Sequence, residues 1–172
     1  METPPTRSIL QHITELEDNG MYWFNEDDFI RVIRCGTLDS LAIVCMERKT
    51  IINMNDCVVG DEIEKLEKVI SDLKIDALFT QFGYASFISN KGETTLRRQA
   101  VENKLQQVKQ LIQCYRPKFV IPFASFIFYS HEENFYMNDL QTDIREVVDV
   151  ISDANSIPIV LYPGDIFSFK NQ

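Results

Sequence analysis

At 172 residues the chain suits one domain with room to bury a core of its own. Hydrophobic residues make up 45% and charged ones 25%, a balance that excludes a disordered chain, and a formal net charge of −9 argues against general binding to nucleic acid. No apolar run approaches the roughly 18 residues of a membrane span, and the start METPPTRS carries no secretion signal, so the cytoplasm is the expected compartment.

In chain order, Thr6 to Asp18 places Ile9, Leu10, Ile13 and Leu16 on one stripe at helical spacing, and Asn19-Gly20 supplies a stop. The first twenty residues are therefore expected to form a helical arm ahead of a single α/β domain over residues 21–172. Met21 to Phe24 and Phe29 to Arg34 read as strands on either side of the acidic turn Asn25-Glu26-Asp27-Asp28. Leu41 to Met46 and Thr50 to Met54 flank Glu47-Arg48-Lys49 and predict a hairpin. Asp61 to Leu73 is a periodic helix, with Asp61 and Glu64 at capping-box spacing. Ala77 to Phe82 is a strand ending at Gly83.

A long helix follows from about Thr94 to Tyr115, with Leu96, Ala100, Leu105, Val108, Leu111 and Ile112 expected to face inward, and Pro117 closes it. Arg97-Arg98, with Lys104 and Lys109, form the densest basic cluster; diluted by Glu93 and Glu102, they read as a solvated helix face. Phe119 to Phe123 is a strand, Thr142 to Asp153 a helix, and Ile159 to Tyr162 a last strand before Pro163-Gly164-Asp165. Strands alternating with helices predict a mixed β-sheet with flanking helices: a parallel layer with antiparallel hairpins beside it.

Ligands of open α/β sheets bind outside the carboxyl ends of the strands. That rule selects Asn53 to Cys57, Gln81 to Tyr84, Ala124-Ser125 and Gly164-Asp165. Asp56 has two readings, a strand-end carboxylate that takes a metal or a proton, or a turn and cap residue before the following helix. Asp165 follows Pro-Gly, the centre of a type II turn, so a plain turn is the simpler reading there. His12 lies beside the apolar stripe of the first helix and reads as structural. His131 stands in Phe126 to Asp139 among Glu132, Glu133 and Asp139, where it either binds a metal, pairs with an acid or orients the loop. Gln81, Tyr84, Ser125, Glu132 and Asp165 are the candidates for lining a substrate loop. Ser125 and His131 lie six residues apart with no nucleophile elbow between them. Cys35, Cys45, Cys57 and Cys114 include no C-x-x-C pair and read as reduced, buried thiols.

The succession DSLAIVCMERKTIINMNDC, helix, DALFTQFGYASF, helix, RPKFVIPFASF, SHEENFYMND and IVLYPGD resembles the C-terminal half of metallo-β-lactamase-fold proteins. The branch it is most similar to includes the oxidoreductase acting on CMP-N-acetylneuraminic acid and related bacterial metallo-hydrolases. The resemblance implies half of an αββα sandwich, with Asp56 at the position of a metal-bridging aspartate. It also places Ala124 where a histidine ligand commonly follows a proline and an apolar residue, leaving His131, seven residues on, as the substitute. The H-x-H-x-D-H ligands of the family's N-terminal half are missing.

Two functions follow from the resemblance. One is the C-terminal portion of a metallo-hydrolase or related oxidoreductase, inactive alone, contributing Asp56 and the His131 loop to a zinc or iron site that acts on a small molecule. The other is a non-catalytic binding or assembly module on the same half-fold. The isolated chain is expected to hold no stoichiometric metal. It is also expected to form a homodimer or bind a partner chain through Met21 to Phe24, Phe29 to Arg34 and Leu41 to Met46.

Overall fold

A computed structural model describes residues 13–36, 39–54, 57 and 63–171. Among the described residues seven strands form one sheet in the order of the chain, β1 (Met21–Trp23), β2 (Phe29–Cys35), β3 (Asp39–Met46), β4 (Lys49–Asn53), β5 (Ala77–Thr80), β6 (Phe119–Pro122) and β7 (Ile157–Pro158). The first four pair antiparallel and β4 to β7 pair parallel, so the mixed sheet expected from the sequence is the one observed. Each parallel step is made through a crossover: α1 (Ile63–Ile70), α2 (Thr94–Tyr115) and α3 (Ile144–Asp153). The three helices pack against one another in sequence order, which puts them on one face.

Strand alternation decides what that face buries. Ile43, Ile52, Leu78 and Val120 point at the helices and meet Leu66, Val108, Leu111, Ile112, Val147 and Ile151 in one continuous core. On the opposite face Ala77, Phe119 and Ile121 gather a smaller cluster, covered by Phe167 and Phe169 from the last residues of the chain. The Phe119 ring lies 5.0 Å from that of Phe167 and 6.0 Å from that of Phe169, both edge-on.

Four expectations change. Where the first helix falls on described residues, from Ile13 to Asp18, no helix forms. The chain turns at Asn19, in the left-handed region at φ 61°, and the Asp18 carboxylate accepts the Arg34 backbone N–H at 2.8 Å. This segment is used to satisfy the outer edge of β2, which a helix would leave open. The last strand is displaced from Ile159–Tyr162 to Ile157–Pro158. Ile159 still donates to Val120 at 2.9 Å, but β6 ends at Pro122 and the chain departs to bring Phe167 and Phe169 across the sheet.

Leu96, expected inside, is exposed, and Arg97, expected on a solvated face, is buried. The long helix has the predicted bounds, but its inner stripe runs through Arg97, Val108, Leu111, Ile112 and Tyr115. Finally, Met21–Trp23 is a shorter strand than predicted, with Phe24 starting the turn, its N–H bonded to the Asp28 carbonyl at 2.9 Å. The capping box of Asp61 and Glu64 lies outside the described residues, as does His12.

Candidate functional site

The parallel strands end together along one edge of the sheet, and the loops beyond them are bonded to each other. After β5, the Phe82 N–H donates to Ser125 Oγ beyond β6 at 2.9 Å. Gly83 packs so closely on Ser125 that a Cβ there would lie 3.2 Å from the serine Cβ. A larger residue at 83 would push the two loops apart. Ala124 between them sits at φ 53°, a left-handed conformation that costs an L-residue energy and that the surrounding bonds hold in place.

Tyr84 is buried, donating its hydroxyl to the Leu140 carbonyl at 3.1 Å. Burial, reinforced by Tyr129, raises its pKa above the ordinary phenol value. Tyr84 and Ser125 are thus brought together at the strand ends, as the strand-end rule anticipates, beside Gln81.

Arg97 is the residue that sequence reasoning missed. It lies on the first turn of α2 with 1% of its surface exposed. Its guanidinium makes a two-pronged pair with Asp139, at 3.1 and 2.8 Å, and donates to Ser89 Oγ at 3.0 Å and the Asn90 carbonyl at 2.9 Å. The Tyr136 ring lies 5.1 Å away across a cation–π contact. A buried guanidinium is tolerated only when its donors are met in this way. One signal could have found it: Arg97 stands in helical phase with Val101, Val108 and Leu111, on the stripe that packs inward.

The other candidates are not drawn into this cluster. His131 is largely exposed, its Nδ1 4.0 Å from a Glu133 carboxylate that is itself exposed, and it accepts the Glu133 backbone N–H at 3.4 Å. These contacts orient its own turn. Glu132 faces solvent. Asp139, grouped with His131 in the sequence, instead neutralises Arg97. Asp165 closes the turn Tyr162 to Asp165, where its N–H donates to the Tyr162 carbonyl at 2.9 Å and its carboxylate accepts the Tyr162 N–H at 2.8 Å. With Pro163 second and Gly164 third at φ 100°, this is the type II arrangement the sequence suggested. Asp56 lies outside the described residues.

The fold implies a metal, so the donor set at these strand ends decides whether one fits. Ala124 offers a methyl where a ligand is expected, Ser125 Oγ is engaged by the Phe82 N–H, and His131 points to solvent. Among the described residues no three His, Cys, Asp or Glu side chains converge on a point that could hold a metal ion. The described residues alone do not fit a zinc or iron centre. Nor do the cysteines form a disulfide. Burial and a hydrogen bond to Glu67 push the Cys114 thiol up to about 12, so it stays protonated as a small apolar group.

No family model matches the sequence, and no curated protein matches it. Solved structures do. The chain is similar to Igni18, a metallo hydrolase from the hyperthermophilic archaeon Ignicoccus hospitalis, with TM-score 0.58 and 13% identity over 92% of this chain and 62% of that one. It is similar to CmlA, a diiron β-hydroxylase from Streptomyces venezuelae, with TM-score 0.57 and 12% identity over 92% of this chain and 36% of that one. A variant of the same hydroxylase gives TM-score 0.59 at 12% identity, covering 92% and 35%. These are metallo-β-lactamase-fold proteins, and the seven-stranded mixed sheet with its flanking helices is an α/β fold of that kind. The chain spans less than two thirds of the length of each. Among the described residues no helix is long and apolar enough to cross a membrane.

Proposed function

We propose that this chain is one portion of a metallo-β-lactamase-fold protein of the metallo-hydrolase or oxygenase kind, and that it is inactive alone. In this reading it works as the scaffolding portion, and any metal centre of the whole protein draws most of its ligands from further chain. The observation that carries the reading is the commitment of the strand ends. Ser125, Tyr84, Arg97 and Asp139 spend their polar atoms on each other's loops, and Ala124 brings no donor. Asp56, which lies outside the described residues, is the carboxylate that the resemblance offers to a shared site.

Elemental analysis after dialysis against a mild chelator, with zinc or iron offered beforehand, tests this directly. The expected result is well under one metal per chain. About one tightly held ion per chain would overturn it, because a closed zinc or iron site needs three or more protein ligands.

The alternative of an assembly module is favoured by a different observation. Outside the patch under Phe167 and Phe169, the second face of the sheet carries Ile30, Val32, Ala42 and Val44, all only partly buried. Apolar side chains in such a row fit a partner domain or a second copy better than water. Sedimentation equilibrium over a tenfold dilution series decides it, a clean monomer being the adverse result.

A further inference from the structure

We infer that residues 126–140 form a strap that closes over Tyr84, and that the pair of the buried Arg97 with Asp139 is its latch. The inference takes from the functional reading only the location of the site, at the strand ends; it concerns how that site is reached.

Four polar stitches join the strap to the loop after β5 and to the first turn of α2. Tyr84 Oη donates to the Leu140 carbonyl at 3.1 Å. Tyr136 Oη donates to the Ser89 carbonyl at 2.8 Å. Tyr129 Oη donates to the Ser86 carbonyl at 3.4 Å. The fourth is the two-pronged pair of Arg97 with Asp139. These bonds run between the strap and what lies beneath it; the apolar ties are Met137, buried as a plug, and the edge-on ring pair of Phe126 with Phe82 at 5.2 Å.

The strap is also braced within itself. Asn138 accepts the Tyr129 N–H at 2.9 Å and donates to the carbonyls of Tyr129 at 2.8 Å and Phe135 at 3.0 Å. A segment tied internally, but tied to its base mainly by polar bonds, moves as one body.

The four stitches are unequal. The phenol bonds are neutral, and once the strap lifts water replaces them at little cost. The Arg97 pair is charged at both ends, and its guanidinium is covered on one side by the Tyr136 ring. Closing the strap is what buries that charge in a satisfied setting, so the pair sets the balance between closed and open. When the strap lifts, Tyr84 is uncovered and the exposed rings of Phe126, Phe128 and Phe135 move with it. The site at the ends of β5 and β6 is therefore gated.

The protein supplies its own reporters. Tyr84 lies under the strap, Tyr115 is buried in the helix-side core, and Tyr162 is exposed in a distant turn. Acetylation by N-acetylimidazole, followed for each tyrosine by peptide-resolved mass spectrometry, is compared between the native chain and Asp139→Asn. Tyr84 is expected to react about tenfold faster or more in the variant, the factor for loss of one charged pair. Tyr115 stays unreactive and Tyr162 keeps its rate.

Amide exchange of 84–93 and 126–140 is expected to rise in step, with β5 and β6 unchanged. Tyr136→Phe keeps the charged pair and gives a smaller acceleration, about threefold. It stands in should Asp139→Asn fold poorly. An unchanged Tyr84 rate in both variants overturns the proposal. So does acceleration of Tyr84 and Tyr115 together, which would make the pair a support of the whole fold. None of these outcomes depends on metal content, so the strap and the metal reading fail separately.

Discussion

The two faces of the sheet are built from the same strands by different means. The helix side is closed by three amphipathic helices, and Ile43, Leu78, Val120 and Val147 there are 0% exposed. The other side is closed over the parallel strands by Phe167 and Phe169, with Ile159 and Leu161 packed beside them. Toward the antiparallel strands this cover stops at an open groove of about 590 Å³, lined by Val44, Met46, Lys49, Ile51, Phe167 and Phe169. The difference teaches that the faces share the fold unequally: the first is closed by helices, while on the second a groove stays open, and the association proposed above falls to that second face.

The sharpest test of that division is Leu78→Ala, at the centre of the closed face. It is expected to cost about 2–5 kcal/mol, since the rigid surroundings leave a cavity, read as a lowered denaturant midpoint with unchanged slope. Phe167→Ala on the second face removes a partly buried ring and is expected to cost only about 1–2 kcal/mol, while increasing the binding of a hydrophobic dye. Equal losses at the two sites would erase the comparison.

Smaller still, Val44→Lys is expected to change stability by about 1 kcal/mol or less, yet to dissociate any dimer in sedimentation. A dimer that survives it places the contact elsewhere. Last comes Asp143, at the start of α3. The Arg145 side chain and backbone N–H hold its carboxyl at about 2, below the ordinary 3.8. Because the folded value is the lower one, its contribution is present above pH 3.8 and fades as pH falls through 2. Asp143→Ala is therefore expected to lower the melting temperature slightly at pH 7 and by clearly less near pH 2.

Much of the fold is legible because its signals are local. The helix from Thr94 to Tyr115 is bounded by a turn and by Pro117, and the hairpin around Arg48 by two alternating runs. What is not legible depends on partners distant in sequence. Nothing near Arg97 reveals that Asp139, 42 positions on, will neutralise it, so a lone arginine on a helix reads as solvated. The same distance effect misplaced the last strand. Ile159 to Tyr162 has strand composition, but pairing requires a neighbour, and β6 has run out. The placing of Tyr84 and Ser125 beyond the ends of β5 and β6 was legible from position alone, because strand ends converge wherever crossovers repeat. The stitching of their loops was not, since it rests on tyrosine hydroxyls meeting carbonyls more than forty residues away.

The strand order, 1 to 7 without a single exchange, bears on how the molecule comes into being. Every strand finds its partner in the strand just made, so loop closures stay short and no early strand waits for a late one. On the ribosome the sheet can lengthen from one end as the chain emerges. The exception is the second face, whose aromatic cover, Phe167 and Phe169, follows Phe119 and Ile121 by more than forty residues. Until Phe167 and Phe169 emerge, Phe119 and Ile121 lack the rings that pack on them, and the growing sheet is open to aggregation over that interval.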